Sequence, residues 1–332
     1  MKIVSILFKK KLYILFFCSL FSFQLNSQWE WESIQAKGKP TARSEAGVFA
    51  YKNKIYLIGG RRINPTDEFD INTKTWTQKS KPPIEIHHFQ PLVIGDAVYI
   101  IGALTGPFPN EKAVDRILIY YPDKDIYVFG DSIPKNRKRG AAGLTFHRNK
   151  IYMLGGLTNG HMDGFQSWFD SYDITTGEWE KLEDAPDKRD HFQALILNNK
   201  LYAFAGRNTC FRHNKALDLT NNYGNIYDFE TKKWLPFSPN YEIPTKRAGN
   251  GGFVWKNEII LGGGESITQV KAHNEVEAFH YGKLEWRNWP FMIEGRHGTG
   301  FCIIENFVYT VSGSGNRGGG PELYSIERLK LP

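Results

Sequence analysis

The chain has 332 residues, with 42 Lys plus Arg against 35 Asp plus Glu, 9 His, 41% hydrophobic and 14% aromatic residues, 32 Gly and 3 Cys. This apolar content excludes a disordered chain, the scarcity of cysteine excludes a disulfide scaffold, and no apolar run is long enough for a bundle of membrane spans. The net charge of +7 comes without a basic tail or charge block, so nucleic acid is not an expected partner.

Lys9, Lys10 and Lys11 precede the apolar run from Leu12 to Phe23. That run has signal-peptide length and is short for a membrane span, and Ser27 is a small residue suited to a cleavage site. Residues 1–27 are therefore predicted to be a signal peptide, with an uncleaved anchor as the alternative. The prediction is an exported protein, periplasmic or secreted, with no membrane span after signal removal. Cys18 follows the bulky Phe17, which argues against lipoprotein processing. The segment holds four lysines and no acid, which leaves residues 28–332 at +3.

Beyond it one pattern recurs: an apolar run, a Gly-Gly-like pair, a Tyr or Phe, then a Trp. The pairs are Gly59-Gly60, Gly102-Ala103, Gly155-Gly156, Ala205-Gly206, Gly263-Gly264 and Ser312-Gly313, with first members 43, 53, 50, 58 and 49 residues apart. Trp76, Trp179, Trp234 and Trp286 fill the Trp position, and Tyr127 takes it in the second repeat. Each repeat reads as four short strands, a to d. In the third they are predicted at Ala141–His147, Ile151–Gly155, Trp168–Ile174 and Glu178–Leu182, with turns such as Arg148-Asn149-Lys150 and Thr175-Thr176-Gly177 between them. The sixth repeat lacks a downstream Trp, whereas Trp29-Glu30-Trp31 precedes the first. An N-terminal strand is thus predicted to complete the last blade and leave no open edge.

These six repeats resemble the kelch family, over about residues 28–330. The resemblance implies an all-β fold, a six-bladed kelch β-propeller over residues 28–332, and a monomer is expected. Kelch propellers include interaction modules, a copper radical oxidase and sugar mutarotases, so the fold alone does not decide function. The oxidase chemistry needs a Tyr crosslinked to Cys. Neither Cys210 nor Cys302 has an assignable Tyr partner.

With up-and-down strands, the d–a and b–c loops share one face, and strand a lines the central channel, so residues entering strand a converge with those after each glycine pair. Sixteen positions before each pair lie Arg43, Ile86, Arg139, Arg189, Arg247 and Arg296. Arginine here bonds loop carbonyls or, alternatively, presents its fork to an anionic ligand. Two positions on come Glu45, His88, Ala141, His191, Gly249 and Gly298, and between the two sets lie Ser44, His87, Gly140, Asp190, Ala248 and His297. His161 and Arg317 in b–c loops and His273 at the start of a strand c fall on the same face. No CxxC or HExxH spacing appears, so no cofactor and no metal is assigned. A metal held by His88, His191 and a loop histidine is the alternative.

Export, an axial mouth, arginines and paired histidines point to an anionic oligosaccharide or polysaccharide, with Phe165, Trp168 and Phe211 as sugar-stacking aromatics. The expected activity is a carbon–oxygen lyase, either an oligosaccharide dehydratase or a polysaccharide lyase, performing β-elimination on uronic acids. His88 and His191 are the expected acid and base. Arg139, Arg189, Arg247, Arg296, His161, His273, His297 and Arg317 are the expected binding groups. A sugar mutarotase or epimerase, or a non-catalytic binder of acidic glycans or proteins, stands as the alternative.

Overall fold

The computed structural model describes residues 29–332. The predicted signal peptide lies outside the described residues, and the prediction of export goes with it. Among the described residues no helix is long and apolar enough to cross a membrane.

Six four-stranded antiparallel sheets form the blades of a propeller. In blade three the strands are Gly143–His147, Lys150–Leu154, Phe169–Asp173 and Trp179–Lys181, within two residues of expectation at every end. The a strands touch the a strands of adjacent blades, which makes them innermost. The ring closes as expected. Glu32–Ser33 pairs antiparallel with Ile326–Lys330, matching Glu32 to Arg328 and Ser33 to Glu327. Trp31 anchors this outer strand, 4% exposed, with its indole N–H donating to the Pro290 carbonyl at 2.8 Å.

A single blade cannot bury both faces, so the core lies between blades. Tyr56 and Phe49 of blade one pack with Val98, Leu118 and Tyr120 of blade two. Phe169 of blade three packs with Leu201 and Tyr227 of blade four. Blade-to-blade packing of this kind is nondirectional. It positions the sheets but does not set their inner register.

A closed hoop of backbone hydrogen bonds sets that register. His88 N donates to Glu45 O at 3.0 Å, Ala141 N to His88 O at 3.0 Å, and His191 N to Ala141 O at 3.1 Å. Gly249 N donates to His191 O at 2.7 Å and Gly298 N to Gly249 O at 2.9 Å, and Ala46 N to Gly298 O at 3.1 Å completes the circuit. All six hoop residues have left-handed backbone, with φ of 58°, 54°, 53°, 54°, 64° and 62° from Glu45 to Gly298. Glycine suits that conformation, and two blades use it. Glu45, His88 and His191 accept the strain of a side chain there, of order 1–2 kcal/mol each, and so present two imidazoles and a carboxylate at the axis.

Candidate active site at the axial mouth

The arginine ring faces inward into each blade, not into the mouth. Arg43, Arg139, Arg189, Arg247 and Arg296 are 0–1% exposed. Each guanidinium bridges the carbonyl sixteen residues on to strand c of its own blade. Arg139 donates to the carbonyls of Gly155, Arg137, Met153 and Trp168 at 2.5–3.1 Å and pairs with Asp170 at 2.7 Å. Arg189 donates to the carbonyls of Ala205 and Tyr223 and to Asn225 Oδ1 at 2.7 Å. Arg43, Arg247 and Arg296 pair with Asp67, Glu277 and Glu327. Burial lowers Arg43, Arg139 and Arg189 to about 10. The expectation that Arg139, Arg189, Arg247 and Arg296 bind a ligand is therefore corrected. Their register is shared because five of the six blades use the same internal strut, blade two having Ile86 there, and five inward struts need no anion to relieve repulsion.

Two other expected binding residues also belong to the frame. His273 is 2% exposed, 2.8 Å from Ser266 Oγ and 3.0 Å from Glu275 Oε2, within blade five. Arg317 is exposed, and its guanidinium donates to the Ile267 carbonyl at 2.7 Å. His297 is nearer the axis. Its Nε2 lies 2.8–2.9 Å from the carbonyls of Asn316 and Gly318, and its Nδ1 stands 3.7 Å from Glu45 Oε1. Of the expected aromatics, Trp168 lies against Arg137 and Phe165 against Lys188, while Phe211 stacks edge-on to Phe108 at 5.1 Å over the mouth.

His88, His161 and His191 converge. Their ring centroids are 4.8, 4.8 and 4.9 Å apart. One nitrogen from each lies within 4.8 Å of the others. His88 and His191 come from the hoop. His161 comes from the b–c loop of blade three, held down by Glu111 Oε2 accepting its backbone N–H at 3.1 Å.

Each ring is backed by a fixed group. His191 Nδ1 is 2.5 Å from Asp190 Oδ1, and Asp190 is clamped by the N–H and hydroxyl of Thr209 at 2.8 and 2.6 Å. His161 Nδ1 is 2.9 Å from Glu111 Oε1, which also meets Arg61 at 3.0 Å. His88 lies between His87 Nδ1 at 2.5 Å and Glu45 Oε2 at 3.1 Å. Burial, reinforced by nearby cations and imidazoles, holds His88 and His191 well below the usual imidazole range, so both are neutral at pH 7. Burial pushes Asp190 up to about 6 against the opposing pull of Arg207 and Thr209.

Above His88 and His161 a cavity of about 640 Å³ opens between the b–c loops, walled by Arg61, Glu45, Phe108, Arg207 and Glu265 among others, while His191 faces the narrower axial channel with His88 and Glu45. Arg207 is 4% exposed and bound to Glu265 at 2.5 Å, while the Arg61 side chain is 28% exposed and is the more available cation. Glu111, Arg61 and Phe108 did not emerge from the repeat register, because they sit in b–c loops that differ in length from blade to blade. The one signal for Glu111 and Arg61 is their placement after glycine pairs.

A family model for the KLHDC2/KLHL20/DRC7 Kelch-repeats domain matches residues 92–313. The chain is 28% identical over 204 residues to Kelch-like protein 40 of Xenopus laevis, covering 59% of this chain and 32% of that one. It is 24% identical to Kelch-like protein terF of Aspergillus terreus, over 85% of this chain and 63% of that one. It is 25% identical to the N-(sulfonatooxy)prop-2-enimidothioate sulfolyase of Thlaspi arvense, over 74% of this chain and 77% of that one. The solved structure of YjhT superimposes with a TM-score of 0.72 at 14% identity, covering 88% of this chain and 97% of that one, a likeness of fold. With the family model spanning most of the propeller and the blades in place around the hoop, the chain belongs to the kelch-repeat domain family.

Proposed function

We propose that the protein is an exported carbon–oxygen lyase that acts by β-elimination on uronic-acid-containing oligosaccharides at the axial mouth. The observation that carries this reading is the convergence of His88, His161 and His191 at the axis, with His88, His161 and Glu45 lining a cavity of about 640 Å³. Strained hoop positions and buried carboxylates behind imidazoles are costly features, and such costs concentrate at sites of chemistry. The relative named as a sulfolyase supports lyase chemistry on this scaffold.

The roles of His88 and His191 shift from those expected of an acid and a base. Both nitrogens of each ring already face neighbours: Asp190 and His161 for His191, His87 and Glu45 for His88. The rings instead form the fixed floor of the site, and Arg61 at the rim is the cation that meets the uronate carboxylate and the enediolate charge that develops on it. Of the carboxylates lining the same space, Glu265 is bound to Arg207 and Glu85 stands at the rim, whereas Glu45 sits on the hoop with its Oε1 3.7 Å from His297 Nδ1. Glu45 takes the C5 proton, the C5–H electrons form the C4–C5 double bond, and the C4–O bond breaks. The departing oxygen leaves as water or as a sugar alcohol after receiving a proton from the Glu45 carboxyl.

Incubation with glucuronate-containing oligosaccharides tests this. Loss of one water by mass marks dehydration, and chain cleavage with an unsaturated end marks a lyase. Binding without either product identifies a binding module, and anomer or epimer exchange without unsaturation identifies a mutarotase or epimerase. Glu45→Gln is expected to lower turnover by roughly 100-fold or more, the scale of general-base catalysis.

A further inference from the structure

We infer that His88, His161 and His191 form a binding site for one first-row divalent transition cation of the zinc class, open toward the axial cavity. The argument starts from tautomers. Asp190 lies 2.5 Å from His191 Nδ1 and Glu111 lies 2.9 Å from His161 Nδ1. A carboxylate beside Nδ1 places the ring proton there and leaves Nε2 as a lone-pair acceptor. The two Nε2 atoms then face each other at 3.0 Å. Two acceptors at that separation repel unless a positive atom lies between or beside them.

The spacing fits a cation. Zinc–nitrogen bonds of about 2.0–2.1 Å in tetrahedral geometry separate ligand nitrogens by roughly 3.3 Å, close to the His161–His191 distance. His88 supplies the third nitrogen, within 4.8 Å of the others, and one of its two contacts, to His87 Nδ1 at 2.5 Å or to Glu45 Oε2 at 3.1 Å, yields to the cation. Glu111 and Asp190 have the place of the outer carboxylates that orient metal-bound imidazoles and raise their basicity. Three imidazoles with no carboxylate among them suit zinc, iron, copper or nickel and disfavour calcium and magnesium, which take oxygen ligands. Three protein ligands leave the fourth position to the cavity, the arrangement of catalytic rather than structural sites.

This inference deepens the proposed elimination and rests on that reading for its substrate: a cation on the floor would receive the uronate carboxylate that the buried arginines cannot reach. The site itself stands on the side chains alone.

The test uses the purified full chain, stripped with chelator and titrated with zinc and with cobalt. One equivalent of zinc by elemental analysis, and cobalt absorption bands of tetrahedral intensity, are expected. His161→Ala and His191→Ala should each weaken binding at least tenfold, and His273→Ala should not. Absence of stoichiometric binding by the unmutated protein overturns the site whatever the variants do, as does equal loss in a His273→Ala variant that keeps the parent's circular dichroism spectrum. The two readings separate cleanly. Zinc binding without unsaturated product rejects the lyase and keeps the site, whereas product formation by a protein that takes up no zinc or cobalt rejects the site and keeps the lyase.

Discussion

Replacing Arg139 by Ala should unfold the protein earlier without altering what the mouth binds. The side chain is fully buried, donates to four carbonyls at 2.5–3.1 Å, and pairs with Asp170 at 2.7 Å. Breaking a buried ion pair by removing one partner costs about 3–5 kcal/mol, and orphaned buried carbonyls add about 1–3 kcal/mol each where water cannot reach them. A total near 5 kcal/mol is a conservative expectation. Since 1 kcal/mol shifts the midpoint of a domain of a few hundred residues by about 2–4 °C, the fall should be about 10 °C or more. Calorimetry or near-ultraviolet circular dichroism reads the midpoint, and ligand affinity is measured well below it. Arg317→Ala serves as a surface control and should stay within about 0.5 kcal/mol of the parent. An unchanged midpoint together with lost affinity for an anionic saccharide would refute the structural assignment of the ring and return it to the ligand.

Three further outcomes are expected. Gly298→Ala places a Cβ 2.7 Å from Glu45 N and 2.9 Å from its carboxyl carbon at a φ of +62°, so stability should fall by about 1–2 kcal/mol in a denaturant melt and turnover should fall with the displaced Glu45. The hydrogen bond from His273 holds Glu275 down at about 2 against burial. Its folded value lies below the ordinary 4.5, so its contribution is complete above pH 4.5 and is lost as pH falls toward 2. Glu275→Gln should flatten the stability profile in that window, and a profile identical to the parent's would contradict the pairing. Cys302 is buried and its thiol is pushed up by desolvation, whereas Cys210 is half-buried. A thiol reagent should therefore modify one of these two cysteines in the native protein and both after unfolding.

The propeller was legible because its physics is periodic. Glycine pairs, outer tryptophans and a–b turns recur where each sheet must bend, pack and reverse, and the displaced N-terminal strand followed from a count of repeats. The inner register was legible too: Glu45, His88, Ala141, His191, Gly249 and Gly298 share one position, and the hoop explains why. Side-chain direction was not. Arg139 and His191 stand two register steps apart in their blades, yet one turns into its own sheet and the other into the axis. That difference depends on strand c acceptors such as Asp170, whose alignment with the arginine is a matter of three dimensions. The groups behind the imidazoles divide the same way. Asp190 adjoins His191 in sequence, but Glu111 reaches His161 from the loop of another blade, and no spacing announces it.

The most direct measurement is the mass and ultraviolet absorbance of a glucuronate oligosaccharide after incubation with the parent protein, Glu45→Gln, His191→Ala and Arg317→Ala. An unsaturated product from the parent and from Arg317→Ala, and nearly none from the other two when both remain folded, is the predicted result. Equal product from all four would remove the axial mouth from the chemistry. A parent that binds the saccharide and returns it unchanged would contradict the lyase reading itself.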